Sequence, residues 1–174
     1  MSDRQAERTL DEVDVLVEAW RRERPDLDVA PLGVLSRVSR LARHLDLARR
    51  EAFAAHDLEP WEFDVLAALR REGAPYTLSP GRLLQVTLVT SGTMTNRIDR
   101  LAAKGLVARV PDPKDGRGVQ VVLTDAGRGR VDDALTDLLA HERDILSTLP
   151  ADDREELADL LRRLTVPFDR AGDA

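Results

Sequence analysis

Five polar or basic side chains recur at helical spacing between residues 93 and 104. They are Thr93, Asn96, Arg97, Arg100 and Lys104. At about 100° per residue they fall within an arc of roughly 100°, and the opposite face of the helix is apolar. That apolar face consists of Met94, Ile98, Leu101 and Ala102. Asn can pair with an adenine edge, Arg can pair with a guanine edge, and the other groups can reach phosphates. The pattern favours a helix that reads the major groove of DNA, although a solvated helix face has the same appearance.

A hairpin with a basic tip is predicted directly after this helix. Residues 106–110 and 119–123 alternate at period two, which predicts two strands. Between them, Lys114 and Arg117 lie where neighbouring glycines let the backbone bend freely. An arginine on such a thin ribbon can enter a narrow minor groove. An ordinary surface loop is the alternative, but the position straight after a helix-turn-helix favours a wing.

Apolar periodicity and capping residues predict helices on both sides of the hairpin. The predicted helices cover residues 5–24, 32–55, 60–73, 80–86, 91–104 and 125–149, and a last helix opens at Pro150. Ser79 and Thr90 are the predicted N-caps of the two short helices, and Thr124 is the predicted N-cap of the helix at 125–149. Pro60 is the predicted first residue of the helix at 60–73, and Gly105 is a left-handed end for the helix at 91–104. Two short helices joined by a few residues form a helix-turn-helix candidate. The helix over 32–55 would exceed about 30 Å, which is too long for a small local core.

The composition excludes several kinds of chemistry. The chain has 174 residues and no cysteine, so disulfide scaffolds, zinc ribbons and thiol chemistry are removed together. Its three histidines are scattered, and it contains no GxSxG, HExxH or phosphate-cradling glycine loop. We therefore expect no enzyme, no catalytic residue, no cofactor and no metal site. No apolar run approaches the ~18 residues of a membrane span, so we expect a cytoplasmic protein without membrane contact.

The charge is distributed unevenly along the chain. The formal net charge is -6, which taken as a whole argues against nucleic acid. Residues 79–130, however, carry 9 Lys or Arg against 4 Asp, which is a net charge of +5. The segment after residue 130 carries -7, and DNA would repel it. The basic middle segment is therefore the predicted nucleic-acid surface.

Five short motifs lie within this middle segment. They are Leu83-Leu84, Val89 to Leu101, Lys104-Gly-Leu-Val107, Asp112 to Arg117 and Val122 to Gly127. These motifs resemble those of the MarR-type winged-helix transcription regulators. The match covers about residues 79–130, and together the motifs are specific. The family usually has an arginine where this wing has Lys114, whereas Arg117 matches.

The resemblance implies a mainly α fold with a small β-hairpin wing. The winged helix-turn-helix DNA-binding lobe is expected at 59–127, with the recognition helix at about 91–104 and the wing at about 106–123. Helices at 1–58 and 128–174 are expected to form a dimerisation domain built from both termini. Two recognition helices in such a homodimer would need a separation of about 34 Å to meet successive major grooves. The implied function is a sequence-specific regulator of double-stranded DNA, a repressor on a palindromic operator.

The predicted DNA contacts come from both short helices and from the wing. They are Ser79, Arg82, Ser91, Thr93, Thr95, Asn96, Arg97, Arg100, Lys104, Lys114 and Arg117. The alternative to specific DNA recognition is a helical dimeric adaptor or a ligand-binding protein. Such an adaptor would need neither a cationic groove face nor a basic hairpin tip.

An effector site is also implied, by resemblance to the urate-responsive branch of the family. That branch has an extra N-terminal helix with a tryptophan, together with an aspartate, a serine and an arginine. Trp20, Asp64 and Arg97 fall on the matching positions, and Thr95 stands where serine is expected. A small anionic or phenolic effector would bind there. The alternatives remain open: Trp20 as a core residue, Asp64 as an ion-pair partner, Arg97 on a phosphate, and a regulator without an effector.

Overall fold

The architecture is mainly helical with one small sheet. The computed structural model describes residues 10–87, 90–113 and 118–171. The elements in those ranges are α1 (Glu12–Glu23), α2 (Ala30–Ala54), α3 (Pro60–Arg71), β1 (Thr77–Leu78), α4 (Pro80–Thr87), α5 (Ser91–Ala103), β2 (Val107–Pro111), β3 (Val119–Leu123), α6 (Asp125–Leu146) and α7 (Ala151–Ala171). The predicted fold class is confirmed. Across these described ranges, no helix combines the length and apolarity needed to cross a membrane.

The chain divides into two compact units, and the boundary falls inside α2 after Ala48. The predicted division at residues 58 and 127 concerns the roles of the segments and stays a prediction. Within the first unit, the buried cluster consists of Val13, Val17 and Val29. Arg37 on α2 adds ion pairs to Asp11 at 2.8 Å and to Asp14 at 2.9 Å.

Helix α1 begins at Glu12 because Asp11 caps it. The Asp11 carboxylate accepts hydrogen bonds from the backbone N–H groups of Val13 and Asp14, at 2.8 and 3.0 Å. Since a helix leaves its first N–H groups without internal partners, such a cap fixes the start. The sequence predicted a start at residue 5, and residues 5–9 lie outside the described part of the chain.

The second unit has a continuous apolar core shared by helices and sheet. Its fully buried members include Phe53 from α2, Leu66 from α3, Leu83 from α4, Leu101 from α5 and Val121 from β3. Phe53 and Phe63 stack with their ring centroids 4.1 Å apart. The core therefore joins the end of α2, the helix-turn-helix and the sheet.

The sheet has three antiparallel strands in the order β1-β3-β2. The predicted hairpin is present, with Val107 opposite Leu123 and Pro111 opposite Val119. The sequence analysis missed β1, which pairs Thr77 with Val122. A strand of two residues shows no alternation, and only its pairing with β3 makes it a strand.

Helix α6 is held against the segment that follows α5 by a tight cap. The Thr124 hydroxyl accepts from the N–H of Gly127 at 3.0 Å and donates to the Leu106 carbonyl, also at 3.0 Å. A Cβ on Gly127 would lie 2.0 Å from the Leu106 oxygen. Thr124 is therefore the helix cap that the sequence predicted, and glycine is required three residues later.

Two features of the last helices differ from the prediction. Helix α6 ends at Leu146, three residues before the predicted end, and α7 begins at Ala151, directly after Pro150. Among the side chains of α7 that the structure describes, none is buried. The side chains described on α7 therefore contribute nothing to the buried core of their own chain.

Candidate nucleic-acid interface

The recognition helix α5 separates an apolar face from a polar one, as the sequence predicted. Met94, Ile98 and Leu101 are buried, with 1%, 1% and 0% of their surfaces exposed. On the other side Thr93, Asn96 and Arg100 are exposed and Arg97 is partly exposed. Because burial of the apolar face fixes the rotation of the helix, the polar face must look outward.

Two arginines of this face lie over one aromatic ring. The guanidinium carbons of Arg97 and Arg100 lie 5.4 and 4.8 Å from the ring centroid of Trp61. These distances fall within the range of about 6 Å for cation–π contacts. Within the part of the chain that the structure describes, no carboxylate forms an ion pair with either arginine. Both guanidinium groups therefore keep their positive charge available.

Lys104, at the end of the helix, is engaged differently. Its ammonium donates to the carboxylate of Glu62 at 2.8 Å and to the carbonyl oxygen of Asp57 at 3.1 Å. Glu62 is fully buried, and its Oε1 is the buried side-chain oxygen that lacks a hydrogen bond within the described residues. A buried carboxylate needs a cation nearby, and Lys104 supplies it. The predicted contact of Lys104 with DNA stays a prediction, and the lysine has this structural partner in addition.

The first strand of the wing is tied to the recognition helix. Arg109 on β2 forms an ion pair with Asp99 on α5 at 2.7 Å. Both side chains are partly exposed. At the base of the wing, the Asp112 N–H donates to the Gly118 carbonyl at 2.9 Å, and Gln120 donates to the Asp112 carboxylate at 2.6 Å. The orientation of the wing is thus coupled to that of α5.

The remaining predicted DNA contacts have local roles or lie outside the described residues. The Ser79 hydroxyl accepts from the N–H of Arg82 at 3.2 Å and so caps α4, while Arg82 bonds Gln85. Thr95 donates to the Ser91 carbonyl at 3.3 Å. Thr90 is the N-cap residue of α5, but its hydroxyl meets that of Thr93 rather than a backbone N–H. Lys114 and Arg117, at the predicted wing tip, lie outside the described residues.

The similarity to known proteins covers nearly the whole chain. It is 39% identical over 153 residues to the HTH-type transcriptional regulator PecS of Dickeya dadantii, which covers 88% of this chain and 92% of PecS. Residues 56–118 match a family model described as MarR family. The chain belongs to the MarR family. Because relatives such as PecS are named as transcriptional regulators, the expectation that the chain is not an enzyme is confirmed.

Further comparisons, one of sequence and one of structure, support the MarR-family assignment. The chain is 29% identical over 150 residues to the HTH-type transcriptional repressor NicR of Pseudomonas putida, with coverage of 84% of this chain and 93% of NicR. A crystal structure of a mutant E. coli MarR complexed with operator DNA matches with a TM-score of 0.63 and 30% identity. That match covers 78% of this chain and 94% of the MarR chain. The winged-helix fold of this MarR-family chain is therefore shared with a DNA-bound relative.

The structure does not place the predicted effector residues Asp64 and Arg97 in one cleft. Asp64 on α3 forms an ion pair with Arg49 at 3.2 Å. Asp64 and Arg97 line different clefts of the lobe, the first beside Phe63 and the second beside Trp61. Trp20 belongs to the first unit and is 47% exposed, so it is not a core residue of its own chain. The effector site stays a prediction.

Three residues of the interface region were missed by the sequence analysis: Trp61, Glu62 and Arg109. The helical periodicity of residues 60–73 makes Trp61 an apolar position and gives no sign of its contact with two arginines. Glu62 and Arg109 gave no signal, because their partners lie 42 and 10 residues away in the chain.

Proposed function

We propose that this protein is a sequence-specific regulator that binds double-stranded DNA as a homodimer and represses transcription from a palindromic operator. The observation that carries the proposal is the outward face of α5. It combines exposed amide and hydroxyl groups with the guanidinium groups of Arg97 and Arg100, which have no carboxylate partner among the described residues. Amide and guanidinium groups on a single helix face supply the hydrogen bonds that distinguish base pairs in the major groove.

The charge of the lobe supports the same conclusion. The net charge of +5 over residues 79–130 lies on the segment that contains α4, α5 and the wing. Phosphate contacts from such a segment give affinity and register, and base contacts from α5 give sequence preference. The MarR structure with operator DNA is an example of this fold engaged with a duplex.

The homodimer is supported by apolar side chains that the chain itself leaves uncovered. On α2, Val34, Leu35, Val38 and Leu41 are between 41% and 57% exposed. On α7, Leu164 and Phe168 are 50% and 77% exposed. Contiguous exposed apolar surface at this level marks an interaction site, and a second copy of the chain presents the same helices. We propose that these helices of two copies cover one another.

Repression follows from occupancy. A dimer that covers an operator excludes polymerase without any further partner surface, and NicR is a relative named as a repressor. Relief of repression would come from a small anionic or phenolic effector. Its proposed contacts are Trp20, Asp64, Thr95 and Arg97. Urate and salicylate are suitable probes, added to the protein–operator complex with the Asp64→Asn variant as the control.

The decisive experiment is selection of bound duplexes from a random DNA pool at two salt concentrations, with sizing of the complex. We expect an enriched palindrome with half-sites about one helical turn apart, bound by a dimer. Asn96→Ala or Arg100→Ala should relax base preference by about 1–3 kcal/mol at one position of each half-site. Arg71→Ala removes an exposed arginine of the lobe outside α5 and should leave base preference unchanged. Absence of enrichment, with binding abolished at modest salt, would reject the proposal in favour of the adaptor or ligand-binding alternative.

A further inference from the structure

We propose that Trp61 is a positioning residue of the DNA interface. Its ring holds the guanidinium groups of Arg97 and Arg100 in fixed places on the outward face of α5, and base preference depends on that placement. The inference rests on the proposed DNA-binding function, and it assigns to α3 a part in reading the operator.

The geometry allows one ring to serve both arginines. Arg97 and Arg100 are three residues apart on α5, so their side chains leave the helix on the same side. Their guanidinium carbons lie 5.4 and 4.8 Å from the Trp61 ring centroid. Tryptophan offers the most favourable aromatic face for a cation, and a planar guanidinium stacks on it well. The same ring also lines a cleft with Thr93 and Asn96, two further predicted contacts.

The contact orients the arginines without neutralising them. Arg109 and Lys104 both have carboxylate partners, Asp99 at 2.7 Å and Glu62 at 2.8 Å. An aromatic ring carries no net charge, so Arg97 and Arg100 remain fully attractive to phosphates and base edges. A free arginine side chain loses about 2 kcal/mol of rotamer entropy when it is fixed. Because Trp61 restricts both side chains before DNA arrives, part of that loss precedes binding.

Trp61 itself is held firmly by the start of α3. Pro60 is the first residue of the helix, and the N–H of Glu59 donates to the Glu62 carboxylate at 2.9 Å. Glu62 and Phe63, the two residues after Trp61, are buried, and Trp61 itself is partly buried and packs against the core. The backbone that carries the ring is therefore anchored in the core, which is the property that a positioning residue needs.

The test compares three variants on the operator and on an unrelated duplex. Trp61→Leu keeps an apolar side chain but removes the aromatic face, and Trp61→Phe restores a ring. Tyr76→Leu is the matched control, because Arg70 and Arg128 lie over the Tyr76 ring at 5.2 and 5.8 Å and neither is a predicted DNA contact. Affinity is measured by fluorescence anisotropy of labelled duplex at two salt concentrations.

We expect Trp61→Leu to lower the ratio of operator affinity to unrelated-duplex affinity by about fivefold to tenfold. The salt dependence should be unchanged, because no charge is removed. Trp61→Phe should recover most of the ratio, and Tyr76→Leu should keep it. A Trp61→Leu variant with the wild-type ratio would overturn the inference while the proposed function stands. A wild-type protein that shows no preference for any duplex would overturn both.

A second measurement covers the case in which Trp61→Leu fails to fold. The chain has two tryptophans, so Trp20→Phe leaves Trp61 as the sole tryptophan. In that background, operator binding should change the Trp61 emission, and so should Arg100→Ala without DNA. Emission that responds to neither would overturn the inference, since the ring would then be independent of the arginines.

Discussion

The two compact units of this protein differ in how far they bury their own apolar residues. In the described part of the unit from Arg49 onward, 21 buried residues form one continuous cluster that reaches from α2 to α6. In the unit up to Ala48, the described residues give a cluster of three, Val13, Val17 and Val29. Exposed apolar side chains are concentrated in the helices of that smaller unit and on α7.

This difference separates a lobe that closes its own apolar core from helices that leave apolar side chains uncovered. The winged-helix lobe closes its core with side chains from its own elements. Helix α7 buries none of the side chains described on it, and α2 leaves Leu35 57% exposed. A face of that kind gains stability only when another surface excludes water from it. The lobe thus presents the polar face of α5 for the proposed DNA contacts, and the uncovered helices are available for the proposed association of two copies.

The largest effect on this comparison is expected from Gly127→Ala. A Cβ at this position would meet the Leu106 carbonyl oxygen at 2.0 Å, so the cap of α6 and the turn after α5 must separate. We expect a loss of about 3 kcal/mol in the free energy of unfolding, measured by denaturant titration. The difference in stability between the winged-helix lobe and the uncovered helices would then become smaller.

Gly129→Ala on the same helix is the control. No atom lies within 4 Å of a Cβ at Gly129, and the residue is exposed. Replacement of a glycine inside a helix by alanine should stabilise the protein by about 0.5–1 kcal/mol. Equal effects of the two substitutions would contradict the close packing at Gly127.

A smaller effect is expected from Lys104→Met, which leaves the Glu62 carboxylate buried without its cation. We expect a loss of about 2 kcal/mol in the free energy of unfolding. The loss is limited to this size because one third of the lysine side chain is exposed to water. Adding Glu62→Gln should recover part of that loss, because the charge is then removed. Arg130→Met is the control, since it breaks a pair with an 81% exposed Asp57 and should cost no more than about 0.5 kcal/mol. Equal costs for the two single variants would show that the buried pair has no special role.

The smallest effect is a pH response confined to the first unit. The backbone N–H of Asp11, followed by the guanidinium of Arg37, holds the pKa of Asp14 below its ordinary value of 3.8. A carboxyl group whose pKa is lowered by folding stabilises the folded state at pH values above its ordinary pKa. That contribution is lost as the pH falls through the lowered pKa. Amide exchange in α1 should therefore accelerate below about pH 4 relative to α3. Arg37→Met should reduce this step without abolishing it, because the backbone N–H of Asp11 still lowers the pKa of Asp14. An unchanged step would contradict the assignment.

The sequence was sufficient to predict most elements near the interface. Pro60, Ser79 and Thr124 marked helix starts, and Gly105 marked a helix end, because each carries local backbone chemistry. Strand β1 and the exact start of α1 could not be predicted. The first depends on pairing with a distant strand, and the second on which of several acidic residues becomes the cap.

The outward face of α5 was already determined by the sequence, because the period of a helix alone separates Met94, Ile98 and Leu101 from Asn96, Arg97 and Arg100. The net charge of residues 79–130 and the absence of cysteine follow directly from the composition of the sequence. What only the tertiary structure decided is how each cation is used. Packing of α3 against α5 puts Trp61 beneath two arginines and Glu62 beneath Lys104, and the wing puts Arg109 beside Asp99. These contacts join residues that are distant in the chain, and no local periodicity encodes them.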